Sequence, residues 1–140
     1  MKRITLFIFT IAMMASCADG AYKSTPDGVV VKVQDKQENG PAKVRLQVMS
    51  EGDVRVSQTP DKKFHDRNSL IILPDAQKET DFEVVDSETS VGIKTSELYV
   101  TVSKTDGVVT FMDAKGNVIS KESEPAYFTP ISVTDTKGTT

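Results

Sequence analysis

The strongest constraint on this chain is a succession of short β-branched runs punctuated by turn formers, with no helical periodicity between them. Valine alone supplies 17 of the 140 residues. Leu98, Val100 and Val102 alternate with Tyr99, Thr101 and Ser103, which is the two-residue period of a half-buried sheet. Thr105-Asp106-Gly107 then leads into Val108-Val109-Thr110-Phe111-Met112, and a glycine in such a turn can take the positive φ that a tight hairpin needs. A second turn at Asp113-Ala114-Lys115-Gly116-Asn117 makes residues 97–121 a three-stranded meander. Upstream, Val44, Leu46 and Val48 alternate with Arg45, Gln47 and Met49 before Glu51-Gly52-Asp53 turns the chain into Val54-Arg55-Val56. Strands are expected at about 28–34, 42–49, 53–58, 81–87, 90–95, 97–104, 108–113, 117–121 and 126–133. Nine short strands spaced by turns predict an all-β fold, an antiparallel β-sandwich or barrel. Between Pro60 and Pro74 the pattern leaves two readings open, since Leu70-Ile71-Ile72-Leu73 suits a strand or a buried loop anchor.

The first sixteen residues have a different composition. Lys2 and Arg3 precede an apolar run from Ile4 to Met14, followed by Ala15, Ser16 and Cys17. This is the charged, apolar and small-residue order of an export signal, and eleven positions are too few for a bilayer-spanning helix, which takes roughly 20 residues. The only cysteine sits where a signal peptidase would cut, and Met14-Ala15-Ser16-Cys17 resembles the lipobox of bacterial lipoproteins. That resemblance implies residues 1–16 as a removable signal helix and Cys17 as the lipid attachment site, which would place the protein at a membrane facing the periplasm or the cell surface. Several acyl chains hold a protein far better than one. A plain secretory signal with a cysteine at the cleavage point is the alternative. Residues 17–27 read as a polar linker and 28–140 as the sandwich. No disulfide can form within a chain of one cysteine, so packing alone must hold it.

Without the leader the chain is polar, Trp-free and carries a formal charge of −5, against −3 for the whole. Nucleic-acid binding calls for a basic stripe, so it is not expected. Catalytic candidates are few. His65 is the only histidine, no Gly-x-Ser-x-Gly turn accompanies it, and a zinc site needs three or four ligands. His65 therefore reads as a surface-loop residue, and no catalytic, metal or cofactor residue is expected. Asp106 and Asp113 are explained by their turns, and the scattered glycines by theirs. Aromatic platforms for sugar rings are scarce, with only Tyr22, Tyr99 and Tyr127 besides the phenylalanines.

Three stretches together resemble a known family. They are Val44-Arg45-Leu46-Gln47-Val48-Met49 with Val54-Arg55-Val56-Ser57 and Pro60, then Leu98-Tyr99-Val100-Thr101-Val102-Ser103, then Val108-Val109-Thr110-Phe111-Met112-Asp113 with Lys115-Gly116-Asn117-Val118-Ile119. They are similar to the amino-terminal β-sandwich of glycoside hydrolase family 31, the α-xylosidases and α-glucosidases, whose fold resembles galactose mutarotase. The lipobox-bearing front is similar to that of α-xylosidases from gut-type Bacteroidetes. The likeness covers residues 22–133 and rests on strand patterns. It implies a longer parent enzyme whose (β/α)₈ barrel carries an Asp nucleophile and an Asp acid/base. None of that barrel is in this sequence, so no catalytic residue carries over, and the family's pocket-lining loop matches no position here.

The expectation is thus an incomplete sandwich, truncated after Tyr127 to Val133, that partners the barrel of its parent chain and meets oligosaccharide only through the full enzyme. The competing reading is a complete small lipoprotein that binds glycan or another protein, with residues 134–140 as a natural tail.

Overall fold

The computed structural model describes residues 20–65 and 79–131. The signal segment, Cys17 and Leu70-Ile71-Ile72-Leu73 lie outside the described residues.

Nine strands form two antiparallel sheets. The first sheet contains β1 (Tyr22–Thr25), β2 (Gly28–Lys32), β3 (Lys43–Ser50) and β4 (Asp53–Thr59), side by side in chain order. The second contains β5 (Glu83–Asp86), β6 (Ser90–Lys94), β7 (Leu98–Ser103), β8 (Val109–Asp113) and β9 (Val118–Lys121), also in chain order. Every neighbouring pair is a meander step; the connections are of two to five residues except that between β2 and β3, where residues 33–42 reach the second sheet. The period-two alternation fixes what each sheet presents inward. Val29, Val31, Val44, Leu46, Val48 and Val54 from the first sheet meet Val91, Ile93, Val100, Val102 and Val109 from the second in one buried cluster. Fully burying an aliphatic side chain stabilises by about 1.5–3 kcal/mol, so this layer holds the sheets face to face without a covalent link.

The two ends of the sandwich are fastened by polar contacts. At one end the amides of Gln34 and Asp35 donate to the carbonyls of Lys104 and Thr105, each at 2.8 Å. At the other, the buried Thr95 hydroxyl donates to the Glu51 carbonyl at 2.6 Å. Gly107, at φ +81°, lets the β7–β8 turn close over the core, where a Cβ would lie 2.9 Å from Val33 and 3.1 Å from Pro41. This is the glycine that the hairpin pattern singled out.

Seven of the nine expected strands that the pattern placed between 28 and 113, together with the one at 117–121, coincide with β2 to β9 apart from their end residues. Two differences remain. The first is β1, which occupies part of the stretch read as polar linker. Its residues Tyr22, Lys23, Ser24 and Thr25 pair with Val31, Val30, Val29 and Gly28. An edge strand has one side open to water and needs few apolar residues, so its sequence looks like a linker; only Tyr22 packs against the core. The second is the strand expected at 126–133: over its described part, 126–131, no strand forms, and 132–133 lie outside the described residues. Pro125 and Pro130 lack the N–H that a ladder requires. The segment is held instead by Phe128 N–H on the Asn39 carbonyl at 2.8 Å and by Asn39 Nδ2 on the Tyr127 hydroxyl at 3.0 Å.

Candidate functional surfaces

The described residues present three distinct polar surfaces. His65 lies on none of them as a catalytic base: it is exposed, with Nε2 3.3 Å from the likewise exposed Asp61 carboxylate four residues earlier in the same loop. Cys17, the expected lipid attachment site, lies outside the described residues.

The first surface is the outward face of the first sheet. Strand pairing sets Lys23, Val30, Arg45 and Ser57 in one row and Lys32, Lys43 and Thr59 in the next. The chain after β4 then folds back over these rows. The Arg45 guanidinium sits 4.5 Å from the centre of the Phe64 ring, a favourable cation–π arrangement. Lys43 Nζ donates to the Lys62 carbonyl and Lys36 Nζ to the Pro60 carbonyl. The outcome is a groove of about 410 Å³ whose lining, among the described residues, includes Lys23, Lys32, Lys43, Lys62 and Lys63, with Val30 and Phe64 as its apolar part.

The outward face of the second sheet is hydroxyl-rich. Ser90, Thr101, Ser103 and Thr110 line a cleft with Asp106, Lys121 and Glu122. Its carboxylates carry structural bonds. Glu122 accepts from Gln58 Nε2 at 3.0 Å and from the Val109 amide at 2.9 Å, which ties the edge of one sheet to the other. Asp106 accepts from the Val108 amide at 3.2 Å, and its carboxyl is held below the ordinary range, chiefly by its hydrogen bond with Ser103. Nearby, Asp113 organises the β8–β9 turn by accepting from the amides of Lys115 and Asn117 and from Asn117 Nδ2. These bonds, the Asn117 side chain first, lower its pKa as well.

The third surface, at one end of the sandwich, gathers Glu51, Asp53, Glu79 and Glu97 around a shallow depression. Among the described residues no three His, Cys, Asp or Glu side chains are placed to hold a metal ion.

The two turn aspartates set an acid-stability prediction. Each folded-state pKa is depressed from 3.8, so each contributes stability that is fully present above the unfolded value and lost as pH falls through the folded one. The chain is expected to lose stability on acidification below about pH 4. The double variant Asp106→Asn, Asp113→Asn should show a flatter acid limb in denaturation midpoints measured between neutral pH and the acid range. An unchanged limb would assign the acid sensitivity to other carboxylates.

No protein-family model matches the chain. Among solved structures, the crystal structure of the family 31 α-xylosidase from Xanthomonas citri superposes with a TM-score of 0.62 and 35% sequence identity. The match covers 71% of this chain and 10% of that one. The chain fits an amino-terminal β-sandwich domain of glycoside hydrolase family 31. In this family 31 domain the stretches that carried the resemblance are β3–β4 and the β7–β8–β9 meander. The chain spans a tenth of the length of the α-xylosidase it matches.

The basic groove is the feature that sequence reasoning missed. A signal existed, because Lys23, Lys32, Lys43 and Arg45 all fall on outward positions of their strands. Strand pairing had to be known before they could be seen as neighbours, and Lys62-Lys63-Phe64 joins them only because the loop folds back.

Proposed function

We propose that this chain is the accessory β-sandwich of an exported, lipid-anchored α-glycosidase of family 31, supporting and bordering a catalytic barrel and having no hydrolytic activity alone. The observation that carries the reading is the 35% identical superposition on a tenth of an α-xylosidase, with both sheets antiparallel and in meander order. It is supported by the duties of the carboxylates: Asp106, Asp113 and Glu122 are engaged in turns and in the link between sheets. A retaining glycosidase instead needs two carboxyl groups about 5–5.5 Å apart facing a sugar-sized cleft.

The test compares the purified chain with the product of the same reading frame extended through any in-frame sequence downstream of codon 140. The chain alone is expected to release no xylose from an aryl α-xyloside, and the extended product to release it. Turnover by the chain alone would overturn the accessory role. A normal stop codon followed by an unrelated gene would overturn the parent-enzyme reading and favour a free-standing binding lipoprotein.

A further inference from the structure

We propose that Asn39-Gly40 is a self-modification site, whose conversion to isoaspartate releases residues 126–131 from the body of the sandwich. The reaction consumes water and needs no enzyme, and it belongs to the domain itself whatever parent chain the domain serves.

The chemistry starts from the residue pair. Asn39, Asn68 and Asn117 are followed by Gly40, Ser69 and Val118. In asparagine cyclisation the nucleophile is the amide nitrogen of the following residue, and glycine, having no Cβ, leaves that nitrogen unobstructed. Gly40 N gives up its proton and attacks Asn39 Cγ, the Cγ–Nδ2 bond breaks, and Nδ2 leaves as ammonia. Water then opens the five-membered imide, and Gly40 N recovers a proton. Addition at Cγ restores the ordinary chain with aspartate at position 39. Addition at the main-chain carbonyl carbon leaves Gly40 bonded to Cγ, so that the backbone runs through Cβ and the old carbonyl becomes a pendant carboxylate.

The fold sets both the rate and the consequence. Asn39 is half-buried in the connection between β2 and β3, where Gly40 N–H donates to the Gln37 carbonyl at 3.0 Å. Asn39 Nδ2 donates to the Tyr127 hydroxyl at 3.0 Å, and Tyr127 is 71% exposed. Nucleophile and leaving group are each held by a hydrogen bond, and both bonds must open before the ring can close. Bonds at a water-exposed rim open locally without global unfolding, so the folded chain slows the reaction without stopping it. The consequence follows from the other group on the same residue. The Asn39 carbonyl accepts the Phe128 amide at 2.8 Å, so Asn39 grips 126–131 through main chain and side chain together. In isoaspartate these two groups exchange places, and neither meets its partner in the present geometry. Aspartate at 39 keeps the backbone and with it the Phe128 bond.

Gly40 also supplies the control. Its φ is not among the positive ones, and a Cβ there would lie 3.3 Å from Gln37 Cβ, so Gly40→Ala needs a small adjustment of one exposed side chain. The full chain and its Gly40→Ala, Tyr127→Phe and Asn39→Asp variants should be aged in neutral buffer, with circular dichroism confirming the fold. The tryptic peptide 37–43 is then assayed for isoaspartate by mass spectrometry. We expect isoaspartate to accumulate in the native chain, about tenfold more slowly in Gly40→Ala and about fivefold faster in Tyr127→Phe, which lacks one protecting bond. Hydrogen exchange at the Phe128 amide should quicken in the isoaspartate fraction and stay native in Asn39→Asp. Absence of isoaspartate after a time in which a synthetic peptide of residues 37–43 converts, or equal rates in the native chain and Gly40→Ala, would overturn the modification site. A rate unchanged in Tyr127→Phe would overturn its control by the Tyr127 bond, and native exchange at Phe128 in the isoaspartate fraction would overturn the release.

Discussion

Gly28→Val is expected to destabilise the sandwich severely. Gly28 opens β2 and pairs with Thr25 on one side and Gln47 on the other. A Cβ there would lie 2.0 Å from the Leu46 carbonyl oxygen and 2.9 Å from its carbon. Both atoms belong to the backbone of the central strand β3, so no rotamer change relieves the collision. β2 would have to move away from β3, withdrawing Val29 and Val31 from the core and breaking the ladder that carries β1. Forced overpacking costs about 1–3 kcal/mol where side chains can adjust; with rigid backbone on one side we expect about 3 kcal/mol or more, a large part of the about 5–15 kcal/mol that holds a typical domain. The alanine variant should be nearly as damaging, because the first added carbon already collides. Gly116→Ala is the contrast. It has φ +89° but nothing within 4 Å of a built Cβ, so only backbone strain of about 1–2 kcal/mol applies. Urea titrations followed by far-ultraviolet circular dichroism would rank the three. Equal midpoints for Gly28→Ala and Gly116→Ala would refute the close-approach explanation.

Leu46→Ala is the second large effect. Leu46 is wholly buried at the inner centre of the first sheet, between Val29 of β2 and Val56 of β4. Deleting its side chain removes apolar burial and leaves a cavity between two sheets that cannot easily collapse, at a cost of about 2–5 kcal/mol. Val118→Ala, at a position 62% exposed on the edge strand β9, should change stability by less than about 0.5 kcal/mol. A midpoint shift for Leu46→Ala no larger than that for Val118→Ala would place the core elsewhere.

Much of the strand pattern was legible because it depends on neighbours in sequence. The alternation of Val44, Leu46 and Val48, and of Leu98, Val100 and Val102, specifies which side chains go inward whatever the partner strand is. Turns were legible for the same reason, since Gly107 and Gly116 occupy the only two positive-φ positions among the described residues. β1 was not legible, because an edge strand half open to water has no apolar signature of its own. The non-strand course of 126–131 was obscured by Tyr127-Phe128-Thr129, whose β propensity lost to Pro125 and Pro130 and to the bonds with Asn39.

Sequence alone therefore determined the all-β class, the inward face of each strand, the meander turns and the resemblance to family 31, all of which rest on periodicities of two residues and on local turn chemistry. Only the tertiary structure decided which strands share a sheet, which glycine lies against a neighbouring backbone, and where the lysines converge. Lys23, Lys32, Lys43 and Lys63 are up to 40 positions apart in the chain and become one surface through antiparallel pairing and a loop folded back upon it. Contacts of that kind depend on which strands meet across the sheet, and a one-dimensional pattern carries no information about that choice.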